Sequence, residues 1–149
     1  MKKILLASAL AFTASTAFAW EIGITGNRDY AGDNRNGAGV VVANQYGAVG
    51  VAAAFDRTSV GDNDQNRYSV TGSYDVPVYQ NITVGPRVGV AYLDNQSGRD
   101  GYALVAGVGA RVPVTDTVAI TVDYTHQRGE ESVKGFDGNR YTVGVRYGF

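Results

Sequence analysis

The chain contains one histidine, His126, and a histidine is the side chain best suited to acid–base chemistry near neutral pH. A hydrolase built on it needs a nucleophile and an orienting acid within hydrogen-bond reach. The second residue after it is Arg128, and the next hydroxyl and acids, Glu130, Glu131 and Ser132, follow in a polar segment. We therefore predict no catalytic residue and expect His126 to lie at a surface boundary, with a hydrolase that uses His126 as the alternative.

Two other segments resemble ligand sites only in composition. Residues 62–66 alternate oxygen-bearing side chains, but a calcium loop counted from Asp62 needs a glycine and a glutamate where Arg67 and Ser73 stand. The repeat Gly107–Gly109 has no helix after it and is not a nucleotide signature. The chain has no cysteine, which excludes disulfides and cysteine-ligated zinc. We expect no metal and no cofactor.

The elements that carry these residues are predicted to be strands. Segments of about ten residues with alternating apolar and polar side chains are separated by turn residues, the pattern of a lipid-facing barrel. The last segment reaches Phe149, and closure against the first strand would remove the edge that it otherwise exposes. We predict an all-β fold, an eight-stranded antiparallel up-and-down transmembrane β-barrel. The predicted strands are Trp20–Arg28, Gly37–Asn44, Ala48–Thr58, Arg67–Val76, Ile82–Leu93, Gly101–Val112, Val118–Arg128 and Asn139–Phe149.

The predicted connections alternate between short turns and longer polar loops. The turns are Gln45–Gly47, Pro77–Asn81 and Pro113–Thr117, and the loops are Asp29–Asn36, Ser59–Asn66, Asp94–Asp100 and Gly129–Gly138. Outer-membrane barrels have short periplasmic turns and longer outer loops, so both termini should be periplasmic. The second strand, with Val40–Val42 in a row, has no clear parity, and Pro86 in mid-strand predicts a bulge.

The first residues have the features of an export signal. Lys2 and Lys3 precede an apolar run, Ile4–Phe12, and Ala17–Ala19 forms a small-x-small cleavage site. We predict a signal peptide over 1–19 and a barrel domain over 20–149. The chain has 13 Lys and Arg against 14 Asp and Glu, so it lacks the basic footprint of a nucleic-acid-binding protein.

Outward aromatic residues should form two belts at the membrane interfaces. The predicted loop-side belt is Phe55, Tyr68, Tyr92, Tyr102, Tyr124 and Tyr141, and the turn-side belt is Trp20, Tyr46, Tyr74 and Tyr147, ending at Phe149.

The opposite face of the strands should fill the interior with charge. It carries Glu21, Asp56, Asp75 and Asp123 together with Arg67, Arg87, Arg111, Arg140 and Arg146. Lone charges in a narrow interior are costly, so we predict a salt-bridge network that plugs the barrel. The inward glycines, among them Gly85 and Gly109, argue against a completely filled interior and leave a narrow channel as an alternative.

The final residues carry a resemblance to a known family. Gly144, Tyr147 and Phe149 give a Gly-x-x-aromatic-x-Phe ending, with Thr142 two places before the glycine. Together with the signal peptide this resembles the small eight-stranded outer-membrane barrels, the family of OmpX, the OmpA transmembrane domain and opacity-type surface proteins. The resemblance implies that these residues form the signal read by the barrel-assembly machinery. It also implies a monomer in a bacterial outer membrane, in contact with its lipids and lipopolysaccharide.

The resemblance also bears on His126. Its placement in the penultimate strand is similar to that of the catalytic histidine in the outer-membrane lipid A deacylases, although Arg128 stands where those enzymes have serine. The leading hypothesis is therefore a non-enzymatic barrel with a plugged interior that serves envelope integrity or surface interaction. A deacylase-like hydrolase and a narrow channel are the alternatives. Contact of His126, Arg128, Lys134 or Arg57 with lipopolysaccharide phosphates is a further possibility.

Overall fold

The structure is a computed structural model that describes residues 19–31, 33–60, 63–95, 100–131, 133 and 137–149. The proposed signal peptide, except for Ala19, lies outside the described residues. No helix among the described residues is long and apolar enough to cross a membrane.

The described chain is almost entirely β-strand, as the alternation of its side chains predicts. The strands are β1 (Ala19–Ala31), β2 (Asp33–Tyr46), β3 (Val49–Val60), β4 (Asn63–Tyr74), β5 (Val76–Tyr79), β6 (Ile82–Asn95), β7 (Asp100–Pro113), β8 (Val118–Gly129) and β9 (Gly138–Gly148). Segments β4 and β5 are two parts of one barrel strand, because both pair with β6 in the same direction. The fold is thus a closed antiparallel barrel of eight strands, which confirms the predicted fold class.

Closure depends on the two ends of the chain. β1 pairs with β9 from Glu21 opposite Gly148 to Tyr30 opposite Asn139, and β4 pairs with β6 on the far side. The Phe149 N–H also donates to the carbonyl of Trp20 at 2.9 Å. Among the described strands, all except the short segment β5 therefore have a neighbour on both sides, and β5 pairs with β6 only.

The predicted loops at one end are too long. Most of 29–36 is a hairpin, in which β1 and β2 stay paired as far as Ala31 opposite Asp33. The same holds for 59–66, where β3 and β4 pair as far as Val60 opposite Asn63. The reason is that ladder hydrogen bonds come from the backbone and continue where side chains on both faces become polar. We call the end of the barrel that carries these hairpins the loop-side end, and the end with Gly47–Ala48 the turn-side end.

Pro86 does not produce the predicted bulge in its own strand. β6 runs unbroken past it, and the irregularity lies in the partner, where Asp75 separates β4 from β5. Because proline has no N–H, the ladder lacks a donor opposite Tyr74. On the β3 side the Asp75 N–H donates to the carbonyl of Ala48 at 2.6 Å, and the register with β6 shifts only between Pro77 and Tyr79.

The parity of the second strand, which the sequence leaves open, is defined by the barrel. Val41 and Ala43 are buried in the interior, whereas Val40 is exposed on the outer face. The wall formed by β2, β3 and β4 therefore presents small side chains to the interior, and this decides where space remains.

Candidate functional site

Eleven charged side chains of the described residues point into the interior. The inward acids among the described residues are Glu21, Asp29, Asp56, Asp75 and Asp123, and the inward bases are Arg35, Arg67, Arg87, Arg111, Arg140 and Arg146. Asp29 and Arg35 were missed because the sequence places both in a loop. The sequence gives no clear signal for Asp29, because the outward positions after Ile24 are Gly26 and Arg28 and the apolar–polar alternation ends there.

The first of three ion clusters lies near the turn-side end. Glu21 is buried and forms ion pairs with Arg111 and with Arg146, the latter at 3.5 Å from Nη1 to Oε2. β1, β7 and β9 supply one residue each, so the cluster ties together strands that are distant in sequence.

The middle cluster is built around Arg87 from β6. Its Nη1 lies 2.5 Å from Oδ1 of Asp75, and its Nε lies 3.0 Å from Oδ1 of Asp123. Gln45 and Ser73 also donate to Oδ2 of Asp75, at 3.3 Å and 3.2 Å. One guanidinium therefore bridges the carboxylate of Asp75, at the junction of β4 and β5, and that of Asp123 on β8.

The third cluster lies near the loop-side end. Arg140 is almost fully buried, with Nε 3.0 Å from Oδ1 of Asp29 and Nη1 3.7 Å from Oδ2 of Asp56. Arg67 donates to Oδ2 of Asp56 at 3.0 Å, and the Asn27 amide donates to its Oδ1 at 2.9 Å. Asp56 therefore accepts hydrogen bonds from β1 and β4 and forms an ion pair with Arg140 of β9.

The inward glycines make room for these clusters and do not leave holes. A Cβ added at Gly109 would overlap Oδ1 of Asp123 and come within 2.6 Å of Nε of Arg87. At Gly85 it would overlap the carbonyl oxygen of Tyr74. The space over these two glycines is therefore occupied, because a narrow, curved wall brings neighbouring groups over the Cα atoms.

The remaining space lies along the wall of small side chains. A cavity of about 90 Å³ is bordered on that wall by Ala43, Gly50, Ala52 and Ala54, and across the barrel by the three ion clusters. A single water needs about 10–15 Å³ measured in this way, so the cavity has room for several. Several lining polar atoms, such as the Thr121 hydroxyl, have no hydrogen-bond partner among the described residues, as expected of a hydrated cavity.

An apolar contact lies at the loop-side end, on the inner face of β6 and β7. Val133 is fully buried there and packs with Leu93 and Ala103. A side chain at Gly129 would collide with Val133, with its Cβ 2.8 Å from the valine Cγ2 atom. Val133 thus lies against the inner face of the barrel.

The outer face is apolar and has aromatic rings near both ends. The belt residues named from the sequence all face outwards, and Tyr30 and Tyr79 join them. At the loop-side end the rings meet in pairs across neighbouring strands: Phe55–Tyr68 at 5.0 Å, Tyr92–Tyr102 at 5.2 Å, Tyr124–Tyr141 at 4.9 Å and Tyr30–Tyr141 at 5.5 Å between centroids.

His126 is exposed on the outer face of β8, between Ala106 and Asn139 of the neighbouring strands. Its Nδ1 lies 3.0 Å from Oδ1 of Asn139. No hydrogen bond joins it to a serine or an acid among the described residues, although Ser132 lies outside them. This geometry is that of a hydrogen-bonded surface histidine.

The outward arginines near the loop-side end differ in their surroundings. Arg57 forms an ion pair with Asp64 above the aromatic belt. Asp64 accepts hydrogen bonds from Arg57 and from the Ser59 hydroxyl, the latter at 2.8 Å. These two bonds hold the pKa of the Asp64 carboxyl below its ordinary value. Arg28 instead lies over the ring of Tyr30, with its Cζ 5.2 Å from the centroid. Lys134 and Asp62 lie outside the described residues.

The four residues of the proposed assembly signal lie on β9 and at its end. Tyr147 and Phe149 are exposed on the outer face, Gly144 is buried, and Thr142 faces the interior cavity. Among the described residues, no group of three or more His, Asp or Glu side chains is placed to hold a metal ion.

Comparison with known proteins identifies the fold. No family model and no curated protein matches the chain. Ail, the attachment invasion locus protein of Yersinia pestis, superposes with a TM-score of 0.59 at 18% identity over 89% of this chain and 97% of that one. Neisserial surface protein A gives 0.65 at 15% identity over 90% and 98%. The fold is that of the small outer-membrane β-barrels. A major outer membrane protein from Thermus thermophilus agrees, with a TM-score of 0.63 at 14% identity over 90% of this chain and 100% of that one.

Proposed function

We propose that the chain is a monomeric, non-enzymatic β-barrel of a Gram-negative outer membrane, exported by residues 1–19 and serving envelope integrity or surface interaction. The observation that carries this proposal is the inverted distribution of polarity. Ile24 and Leu104 are 68% and 67% exposed on the outer face, whereas Asp56 and Arg140 are 3% and 2% exposed inside. A band of exposed aliphatic residues bordered by aromatic belts suits a hydrocarbon environment.

The proposed topology has both termini in the periplasm and the loop-side end at the cell surface. Its partners are outer-membrane lipids and lipopolysaccharide, with the barrel-assembly machinery during biogenesis and no nucleic acid. Cell fractionation tests the location: the heat-modifiable barrel should co-purify with the outer membrane. Recovery of folded protein in the periplasmic or inner-membrane fraction would contradict the proposal.

The non-enzymatic part of the proposal is tested at His126. Its described partner is the Asn139 amide, which can orient an imidazole but cannot serve as a nucleophile. Mass spectrometry of lipid A from cells that produce wild type or His126→Ala should show unchanged acylation in both, with folding checked by heat-modifiable gel migration. Loss of an acyl chain with wild type alone would make the protein an enzyme.

A narrow channel is the second candidate function, and the cavity favours it. The 90 Å³ space touches all three ion clusters and therefore extends over much of the barrel height. Arg87, Asp75 and Asp123 meet across its middle, so transport along this path requires that cluster to rearrange.

A further inference from the structure

The loop-side belt is not uniform around the barrel. On β3, β4, β6 and β7 the rings of Phe55, Tyr68, Tyr92 and Tyr102 lie directly opposite one another in the ladders. The outward cation of this sector among the described residues, Arg57, forms an ion pair with Asp64. The described surface here is therefore aromatic, and its arginine is already paired.

The sector formed by β8, β9 and β1 is built differently. Tyr141 of β9 lies opposite Tyr124 of β8 and opposite Arg28 of β1. Tyr30 meets Tyr141 edge to face at 5.5 Å, and the Arg28 guanidinium lies over Tyr30. Three tyrosines and an arginine thus form one continuous surface, which we call the tyrosine platform (Arg28, Tyr30, Tyr124 and Tyr141).

A second cation lies above this platform. Arg128 is exposed on β8, four residues beyond Tyr124, which is about 13 Å along the strand. β8 and β1 flank β9, so Arg28 stands about 10 Å to the side. Within the described part of the chain, neither arginine forms an ion pair with an acid. His126 and Asn139 occupy the space between the two arginines.

The charge of the two arginines and the position of the tyrosines indicate which class of ligand this surface fits. Guanidinium groups bind phosphate through paired hydrogen bonds, and tyrosines favour the boundary between headgroups and acyl chains. Two separated arginines suit a headgroup that carries phosphate at more than one place on a rigid core.

We infer that the tyrosine platform and Arg128 bind the phosphorylated sugar headgroup of an outer-leaflet glycolipid. Arg28 and Arg128 hold its phosphates, and the tyrosines support the base of the headgroup. This inference rests on the proposed outer-membrane location and adds to it one defined lipid-binding face on β8, β9 and β1.

The test is native mass spectrometry of the full folded barrel released from detergent micelles. The probes are diphosphorylated lipid A, the same lipid without phosphates, and phosphatidylglycerol. We expect wild type to retain the diphosphorylated lipid in preference to both others. The variant R28Q/R128Q should bind it at least tenfold more weakly, because each arginine contributes a charge-assisted hydrogen bond. The matched control R57Q removes an outward arginine that is already paired and should change binding less than twofold.

Three outcomes would overturn the inference: equal retention of phosphatidylglycerol, retention of the lipid without phosphates, or equal losses for R57Q and R28Q/R128Q. Heat-modifiable migration of each variant confirms that the barrel is folded before its binding is compared. The location of the protein is read separately by cell fractionation, so failure of the proposed function and failure of this site are distinguishable.

Discussion

Arg87 is the residue on which the middle of the interior depends, because its guanidinium is shared by Asp75 and Asp123. Its replacement leaves the buried carboxylate of Asp75 and the partly buried carboxylate of Asp123 without their cation. We expect Arg87→Ala to lower the free energy of unfolding by about 3–5 kcal/mol, the range found when one partner of a buried ion pair is removed. Urea unfolding in lipid vesicles, followed by heat-modifiable migration, measures the effect.

The control is the triple variant Asp75→Asn, Arg87→Met and Asp123→Asn, which removes the whole cluster. Because it leaves no unpaired charge, it should regain most of the stability that Arg87→Ala loses. If the triple variant were less stable than the single one, the cluster would contribute net stability rather than merely being balanced.

Gly109 supplies a second prediction at the residue scale. An added Cβ would overlap Asp123 and approach Arg87, so Gly109→Ala should destabilise the barrel by about 1–3 kcal/mol, as overpacking does elsewhere. Gly26 is the matched control, since its Cβ would meet nothing within 4 Å on the outer face. Gly26→Ala should be neutral or slightly stabilising in the same unfolding assay. Equal effects of the two substitutions would contradict the proposed packing role.

At the scale of the elements, the closing strand β9 serves two roles that an experiment can separate. In the folded barrel, Phe149 contributes one backbone hydrogen bond to Trp20 and an exposed ring. Its deletion should therefore cost only about 1 kcal/mol when the purified chain refolds in micelles. In cells, where we propose that β9 is read by the assembly machinery, the same deletion should reduce the folded outer-membrane barrel several-fold.

Phe149→Trp is the control for that prediction, because it keeps a terminal aromatic ring and the backbone bond. Heat-modifiable protein is quantified in outer-membrane fractions and in refolding reactions. Normal cellular levels of the deletion variant would contradict the signal role, whereas an equal loss in micelles would indicate a simple contribution to stability.

At the scale of the whole molecule, the question is whether the interior conducts. Three ion clusters at successive heights interrupt the polar path, and the middle one spans the barrel. We expect planar bilayers that contain the wild-type barrel to show no steady single-channel current. Steady currents that change in Arg87→Gln or Asp123→Asn would instead support the narrow-channel alternative, with Arg57→Gln as the control outside the interior.

The sequence by itself determined the closed barrel and the face on which each residue of a clean strand lies. Side chains alternate with a period of two, so Val143 and Val145 face outwards whenever Thr142 and Arg146 face inwards. The sequence did not reveal the length of the loop-side hairpins. Backbone pairing continues through polar residues, and Asp29 therefore looks like a loop residue until its partner across the ladder is known.

Only the tertiary structure decided which inward charges meet, because register and shear bring together residues that are far apart in sequence. It paired Arg87 with Asp75 at the junction of β4 and β5, although Asp75 lies closer to the turn-side end by sequence. It also decided that Val41 faces inwards, because three valines in a row carry no alternation of their own. Alternation is a local property of each strand, whereas contacts across the barrel depend on how all eight strands are staggered.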